Sequence, residues 1–126
     1  MRVFAICQDE LVIRSLDDVL LPNFDVDFLV ESRPLARRLH DAGVQVTAGD
    51  PRRIDTYLKA DITPGTCFIV EDNSKRSTKK VISAIRDAGG TLIYVLHTGP
   101  KTEKTPEHSS SAEPDVTHIS LGELIS

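Results

Sequence analysis

Four stretches of this chain, residues 3–6, 26–30, 66–70 and 91–96, are almost unbroken apolar runs, each bounded by a segment with helical spacing or a cluster of turn formers. Continuous apolar runs of four to six residues are what a strand buried on both faces requires, and that environment belongs to parallel sheets covered by helices on each side. The intervening segments fit. Val12, Leu16, Val19 and Leu20 share one helical face, as do Leu35, Ala36, Leu39 and Ala42, with Arg33, Arg37, Arg38 and Asp41 looking outward. Ser32 is placed to cap that second helix and Gly43 to close it. A short helix follows Gly49-Asp50-Pro51, with Asp50 as its cap, Pro51 in its first position and Ile54, Tyr57 and Leu58 on its buried side. The strongest helical pattern spans 74–88, where Val81, Ile82, Ile85 and Ala88 oppose Lys75, Arg76, Lys79, Lys80 and Arg86, and Gly89-Gly90 ends it.

Residues 44–48 alternate only in part, which predicts a strand at the sheet edge, and residues 116–120 form a candidate sixth strand before a last helical turn at 121–125. The β-α alternation predicts a three-layer α/β fold: a doubly wound parallel sheet with right-handed crossovers, ordered 3-2-1-4-5 with the possible sixth strand at its end. Residues 1–97 form the core of this reading. Residues 98–114, rich in Pro, Ser and Thr without periodicity, form a flexible loop, and 115–126 supply the closing strand and helix of the same domain.

A chain of 126 residues suits one such domain without a stabilising disulfide or metal. Fifteen Lys and Arg against 19 Asp and Glu give a net charge of -4, so there is no global electrostatic reason to bind nucleic acid. The basic outer face from Lys75 to Arg86 reads as a solvated helix surface. Cys7 ends one strand and Cys67 begins a neighbouring parallel one, which sets them at opposite ends of the sheet and argues against a disulfide. No apolar segment approaches a membrane span and no signal-peptide pattern opens the chain, so the expectation is a cytoplasmic location without membrane insertion.

In open α/β sheets ligands bind at the carboxyl end of the central strands. The turn after the first strand, Cys7-Gln8-Asp9-Glu10-Leu11, is therefore the first candidate site, and it holds two acids and no glycine. The order of strand ends, with this turn, Glu31-Ser32 after the second strand, Gly49-Asp50 after the third and Glu71-Asp72-Asn73 after the fourth, resembles the RCK or TrkA-N nucleotide-binding domains of potassium-transport regulators. Such domains also stand at the N-terminus of some DHH phosphoesterases. The final Pro114-to-Ile125 segment looks like that family's closing strand and helix.

The resemblance implies a Rossmann-like fold, NAD or an adenine nucleotide as ligand, a regulatory role, a homodimer, and an attached or partner transport or phosphoesterase domain. It departs at the glycine fingerprint. Aligned on the strand end, the three glycine positions hold Cys7, Asp9 and Val12, and a carboxylate at the second would repel the diphosphate that a helix N-terminus attracts. The expectation is weak nucleotide sensing, or a dimerisation and docking module that senses none.

Individual residues carry competing readings. Glu31 is an acceptor for ribose hydroxyls or a solvated strand-end acid. Asp50 is a ligand contact or a helix cap, and the adjacent proline favours the cap. Arg33, Arg52 and Arg53 meet phosphates or simply start helices. Glu71 and Asp72 join Asp9 and Glu10 around a cation, or cap the following helix, which is the stronger reading. A second resemblance, to a response-regulator receiver domain taken to share the strand order, assigns Asp9 and Glu10 as its acidic pocket, Asp50 as phosphoacceptor and Lys101 as its lysine. His40, His97, His108 and His118 show no ligand spacing, and no nucleophile-base pair or metal motif is evident, so the expectation is a non-enzymatic domain without a metal.

Overall fold

The structure is a computed structural model that describes residues 2–60, 62–72, 74–98 and 116–125. In chain order the elements are β1 (Arg2–Ile6), α1 (Glu10–Leu20), β2 (Asp25–Val30), α2 (Arg33–Asp41), β3 (Val46–Ala48), α3 (Ile54–Lys59), β4 (Cys67–Glu71), α4 (Lys75–Asp87), β5 (Leu92–His97), β6 (Val116–Ser120) and α5 (Leu121–Ile125). All six strands join one parallel sheet in the order β3-β2-β1-β4-β5-β6. This is the expected doubly wound, Rossmann-like arrangement, with the sixth strand present and β3 at the edge.

Alternation along the strands divides the core in two. Val3, Ala5 and Cys7 of the β1 segment, with Val26, Phe28 and Val30 of β2, face α1 and α2, where Ile13, Leu16 and Leu39 are fully buried. Phe4 and Ile6 face the other way with Phe68, Val70, Ile93 and Val95, against Tyr57 of α3 and Ile82 and Ile85 of α4. Phe4, Tyr57 and Phe68 meet edge to face at centroid distances of 6.0 to 6.3 Å, the geometry that aromatic quadrupoles favour. Asp27, the acid that interrupts the apolar run of β2, pairs with Arg2 at 3.1 Å, which accounts for a charge at that position.

Helix ends follow local chemistry. The Ser32 and Ser74 hydroxyls accept the Leu35 and Ser77 N–H groups, and Gly43 and Gly89 take the left-handed conformation beyond α2 and α4, at φ of 91° and 103°. Gly90 is required for a different reason: a Cβ there would lie 2.4 Å from Ile85 Cγ2 and 2.8 Å from Phe68 Cε2. The two cysteines are free and buried.

Three local expectations need correcting. Asp50 does not cap α3, because Pro51 and Arg52 form a turn, the helix starts at Ile54, and Arg53 occupies the cap position without a side-chain bond. Ile54 and Leu58 are exposed, since a helix shorter than two turns buries one large side chain and Tyr57 takes that place. Ala42 lies outside the buried face of α2, at its exposed C-cap. Most of the expected flexible loop, and with it Lys101, lies outside the described residues.

Candidate functional site

A small cleft, open to solvent, lies at the carboxyl ends of β1 and β4 on the α3/α4 face. Ile6, Val70, Val81 and Pro51 give it apolar walls, and Gln8, Glu31, Glu71, Ser77 and Thr78 give it polar ones. The turn above it is built from side chains that answer its own backbone. Asp9 is the N-cap of α1, and its Oδ1 accepts the Leu11 N–H at 2.9 Å and the Val12 N–H at 3.4 Å. Glu71, arriving from the end of β4, accepts the Gln8 N–H at 2.6 Å and lies close enough to the Asp9 N–H to feel it. The Gln8 side chain accepts the Glu31 N–H at 2.8 Å, tying the turn to the end of β2.

These bonds have an electrostatic consequence. In a dinucleotide site the turn and first-helix N–H groups point at the diphosphate. Here the carboxylates of Glu71 and Asp9 already occupy three of them, those of Gln8, Leu11 and Val12. Partial burial raises the Glu71 carboxyl above its ordinary range; its two backbone donors oppose that rise, and the Asp9 charge adds to it. Burial, with the charges of Glu71 and Asp9, also pushes the Cys7 thiol well up, which leaves it a core side chain and not a nucleophile.

The sequence candidates separate under this geometry. Gln8, Glu31 and Glu71 line the cleft, and Asp9 sits beside it through its bond to Glu71. Glu10 turns toward helix surfaces, where Arg38 and then Arg14 hold its carboxyl below the usual range. Leu11 is 75% exposed. Ser32 serves α2 as a cap, and Gly49 continues the β2–β3 pairing through its N–H to Val30 at 2.9 Å. Asp50 accepts the backbone N–H and the side-chain Nε of Arg52, which lower its pKa in that order. Arg52 also feels Glu31, whereas Arg53 pairs with Asp55 at 3.8 Å. Neither Glu71 nor Asp72 caps α4, because Ser74 does so while Glu71 turns inward and Asp72 turns toward β5. Among the described residues no three acids, histidines or cysteines stand together to hold a metal ion, and the four-acid cation cluster is not formed.

The receiver resemblance fails on topology. Receivers follow the order 2-1-3-4-5, whereas β3 here is an edge strand separated from β1 by β2. Asp50 therefore emerges beyond β2 and is bonded to Arg52, and Glu10 is bonded to Arg38.

Two features escaped the sequence reading. The Ser77 and Thr78 hydroxyls reach the cleft from the start of α4, a position that hydroxyl residues one turn after a strand end would have suggested. The other is a chain of polar side chains at the ends of β4, β5 and β6. Thr78 donates to Asp72 Oδ1 at 3.2 Å, Asp72 Oδ2 lies 3.1 Å from His97 Nδ1, and His97 Nε2 lies 2.8 Å from His118 Nδ1. Burial and then the neighbouring His97 lower the His118 pKa, against the pull of Asp72. Linear spacing gave no sign of it, since Asp72 and His97 lie 25 residues apart and His97 and His118 a further 21.

No protein-family model matches the sequence, and no curated protein matches it. Among solved structures it is similar to the NAD(P)-binding domain of an exopolyphosphatase-related protein from Archaeoglobus fulgidus, at 15% identity and a TM-score of 0.66, covering 98% of this chain and 90% of that one. It is also similar to an NADPH-dependent quinone oxidoreductase of Escherichia coli solved with NADPH, at 15% identity and a TM-score of 0.55 over 77% of this chain and 36% of the enzyme. Among the described residues no helix is long and apolar enough to cross a membrane. The chain has the Rossmann-like α/β fold of these structures, the fold class that its alternation of strands and helices implied.

Proposed function

We propose that this chain is a regulatory, non-catalytic nucleotide-binding domain whose cleft takes an adenine nucleotide or NAD weakly, because its own carboxylates fill the seat of the diphosphate. The observation that carries this reading is the bond from the Gln8 N–H to Glu71, beside those from the Leu11 and Val12 N–H groups to Asp9. In this reading Glu31, at the cleft and near Arg52, accepts the ribose hydroxyls, and Ser77 and Thr78 offer hydroxyls from the opposite wall. Support comes from the strand-end position of the cleft and from similarity to domains described as NAD(P)-binding. The homodimer and the attached transport or phosphoesterase domain belong to the same proposal and rest on the resemblance alone.

Thermal unfolding against NAD, NADH, ATP, ADP and AMP, with magnesium varied separately, tests the reading. A ligand that binds only the folded state raises the midpoint by mass action. The expected result is a small rise that needs millimolar nucleotide. No rise with any of them would overturn nucleotide sensing and leave a docking module.

A further inference from the structure

The Asp72–His97–His118 chain touches the nucleotide cleft only through Thr78, and the nucleotide reading gives its two histidines no role. His97 ends β5, and His118 lies in β6 opposite Val95, so both side chains project from the same face of adjacent parallel strands. Their rings lie 19° from parallel with centroids 5.0 Å apart. Asp72 is fixed from two sides, by its backbone N–H to Leu96 O at 2.8 Å and by the Thr78 hydroxyl on Oδ1. Its other oxygen faces His97 Nδ1, and a carboxylate there selects the Nδ1–H tautomer. His97 Nε2 is then left with its lone pair aimed at His118 Nδ1.

A carboxylate that orients one histidine while its far nitrogen converges with a second imidazole nitrogen is the outer arrangement of a nitrogen-ligated metal site. We propose that His97 Nε2 and His118 Nδ1 bind one transition-metal cation of the zinc class, with Asp72 orienting His97 from outside the coordination sphere. The donor set selects the metal, because imidazole suits zinc, cobalt, nickel and copper, whereas calcium and magnesium require oxygen. With metal–nitrogen bonds of about 2.0–2.1 Å in tetrahedral geometry, the two nitrogens would stand about 3.3 Å apart. The observed 2.8 Å must therefore open by roughly half an ångström. His118 can supply that movement, since β6 is an edge strand bonded only to β5 within the sheet. In the change His118 moves its proton from Nδ1 to Nε2, so both facing lone pairs meet the cation. Two protein donors leave the remaining positions to water, which makes this an exchangeable site open to solvent and not a closed structural one.

The test uses the full chain. Zinc and cobalt are titrated by calorimetry while the histidine side-chain nitrogens are followed by NMR. One equivalent is expected to bind, shifting His97 Nε2 and His118 Nδ1 selectively. His97→Ala or His118→Ala should abolish that binding, Asp72→Asn should weaken it about 10- to 100-fold, and His40→Ala on α2 should leave it unchanged. The wild-type nitrogen shifts need no variant to fold. Absence of binding at millimolar zinc, or binding that leaves those two nitrogens unshifted, would overturn the site and leave a hydrogen-bonded pair that fastens β6 to the sheet.

Discussion

Replacing Glu71 with alanine removes the carboxylate that the turn after β1 now holds. The Gln8 N–H loses its acceptor and becomes available to a phosphate. A negative charge also leaves the seat. At an effective dielectric of about 20, a unit charge about 5 Å from an incoming phosphate costs roughly 3 kcal/mol. Salt and partial exposure reduce that figure, so a gain of about 10- to 100-fold in affinity for ADP or NAD is expected, each tenfold being about 1.4 kcal/mol. Stability should fall, since a hydrogen bond to a charged group contributes about 1.5–3 kcal/mol, offset in part by the burial that raises the Glu71 pKa. Isothermal calorimetry at low salt and neutral pH, with circular dichroism to confirm the fold, makes the measurement. Glu71→Gln keeps an acceptor and loses the charge, so its gain should be intermediate. A folded Glu71→Ala protein that binds no better than wild type would refute the idea that an internal carboxylate blocks the diphosphate.

Three further outcomes follow from the same geometry. Because the folded-state pKa of Glu71 lies above its ordinary value, the native state holds that proton more tightly than the unfolded chain does; its charge imposes a penalty at neutral pH that fades as pH falls through the raised pKa. The thermal midpoint of Glu71→Gln relative to wild type should therefore be more favourable at pH 7 than at pH 4.5, and wild-type nucleotide affinity should rise on acidification while that of Glu71→Gln stays flatter. Glu31→Ala should erase any preference for adenosine over its 2′-deoxy analogue, a preference of about tenfold if one charge-assisted hydrogen bond is made, measured by competition calorimetry. Gly90→Ala should lower stability by about 1–3 kcal/mol in urea denaturation, because its Cβ would press on Ile85 and Phe68.

The sequence made the sheet legible because burial on both faces leaves an apolar run that needs no knowledge of partners. The strand runs, the partial alternation of β3, the Ser32 cap and the Gly43 and Gly89 stops are all written locally. Asp50 was misread because an aspartate before proline serves a turn as readily as a helix cap, and only the start of α3 at Ile54 separates them. Ile54 and Leu58 were misread because helical spacing does not say how many turns the helix will have. The site was legible as a place and not as a set of bonds. Glu71 reaches Gln8 across 63 residues, and His97 reaches His118 across 21, through the register of β1 with β4 and of β5 with β6. Register is a property of pairing, and no local pattern contains it.

The three positions where a dinucleotide-binding turn carries glycine hold side chains here that act together. At the first position Cys7 is fully buried and fills the α1/α2 side of the core, where a glycine would leave space. At the third, Val12 is buried against the same cluster, so the contact between helix and sheet that glycine permits by smallness is made here by an apolar side chain. At the second, where glycine admits the diphosphate, Asp9 supplies an oxygen to the helix N-terminus itself. Glu71 completes the exchange by taking the Gln8 N–H, which Asp9 does not reach. A backbone that normally relies on a ligand to satisfy these N–H groups is satisfied here from within, so the fold does not need the ligand for its stability. Such a domain can be empty at rest and still respond when a ligand, or a proton on Glu71, displaces the internal charge. The proposed sensing role requires that property, and the Glu71 variants test it.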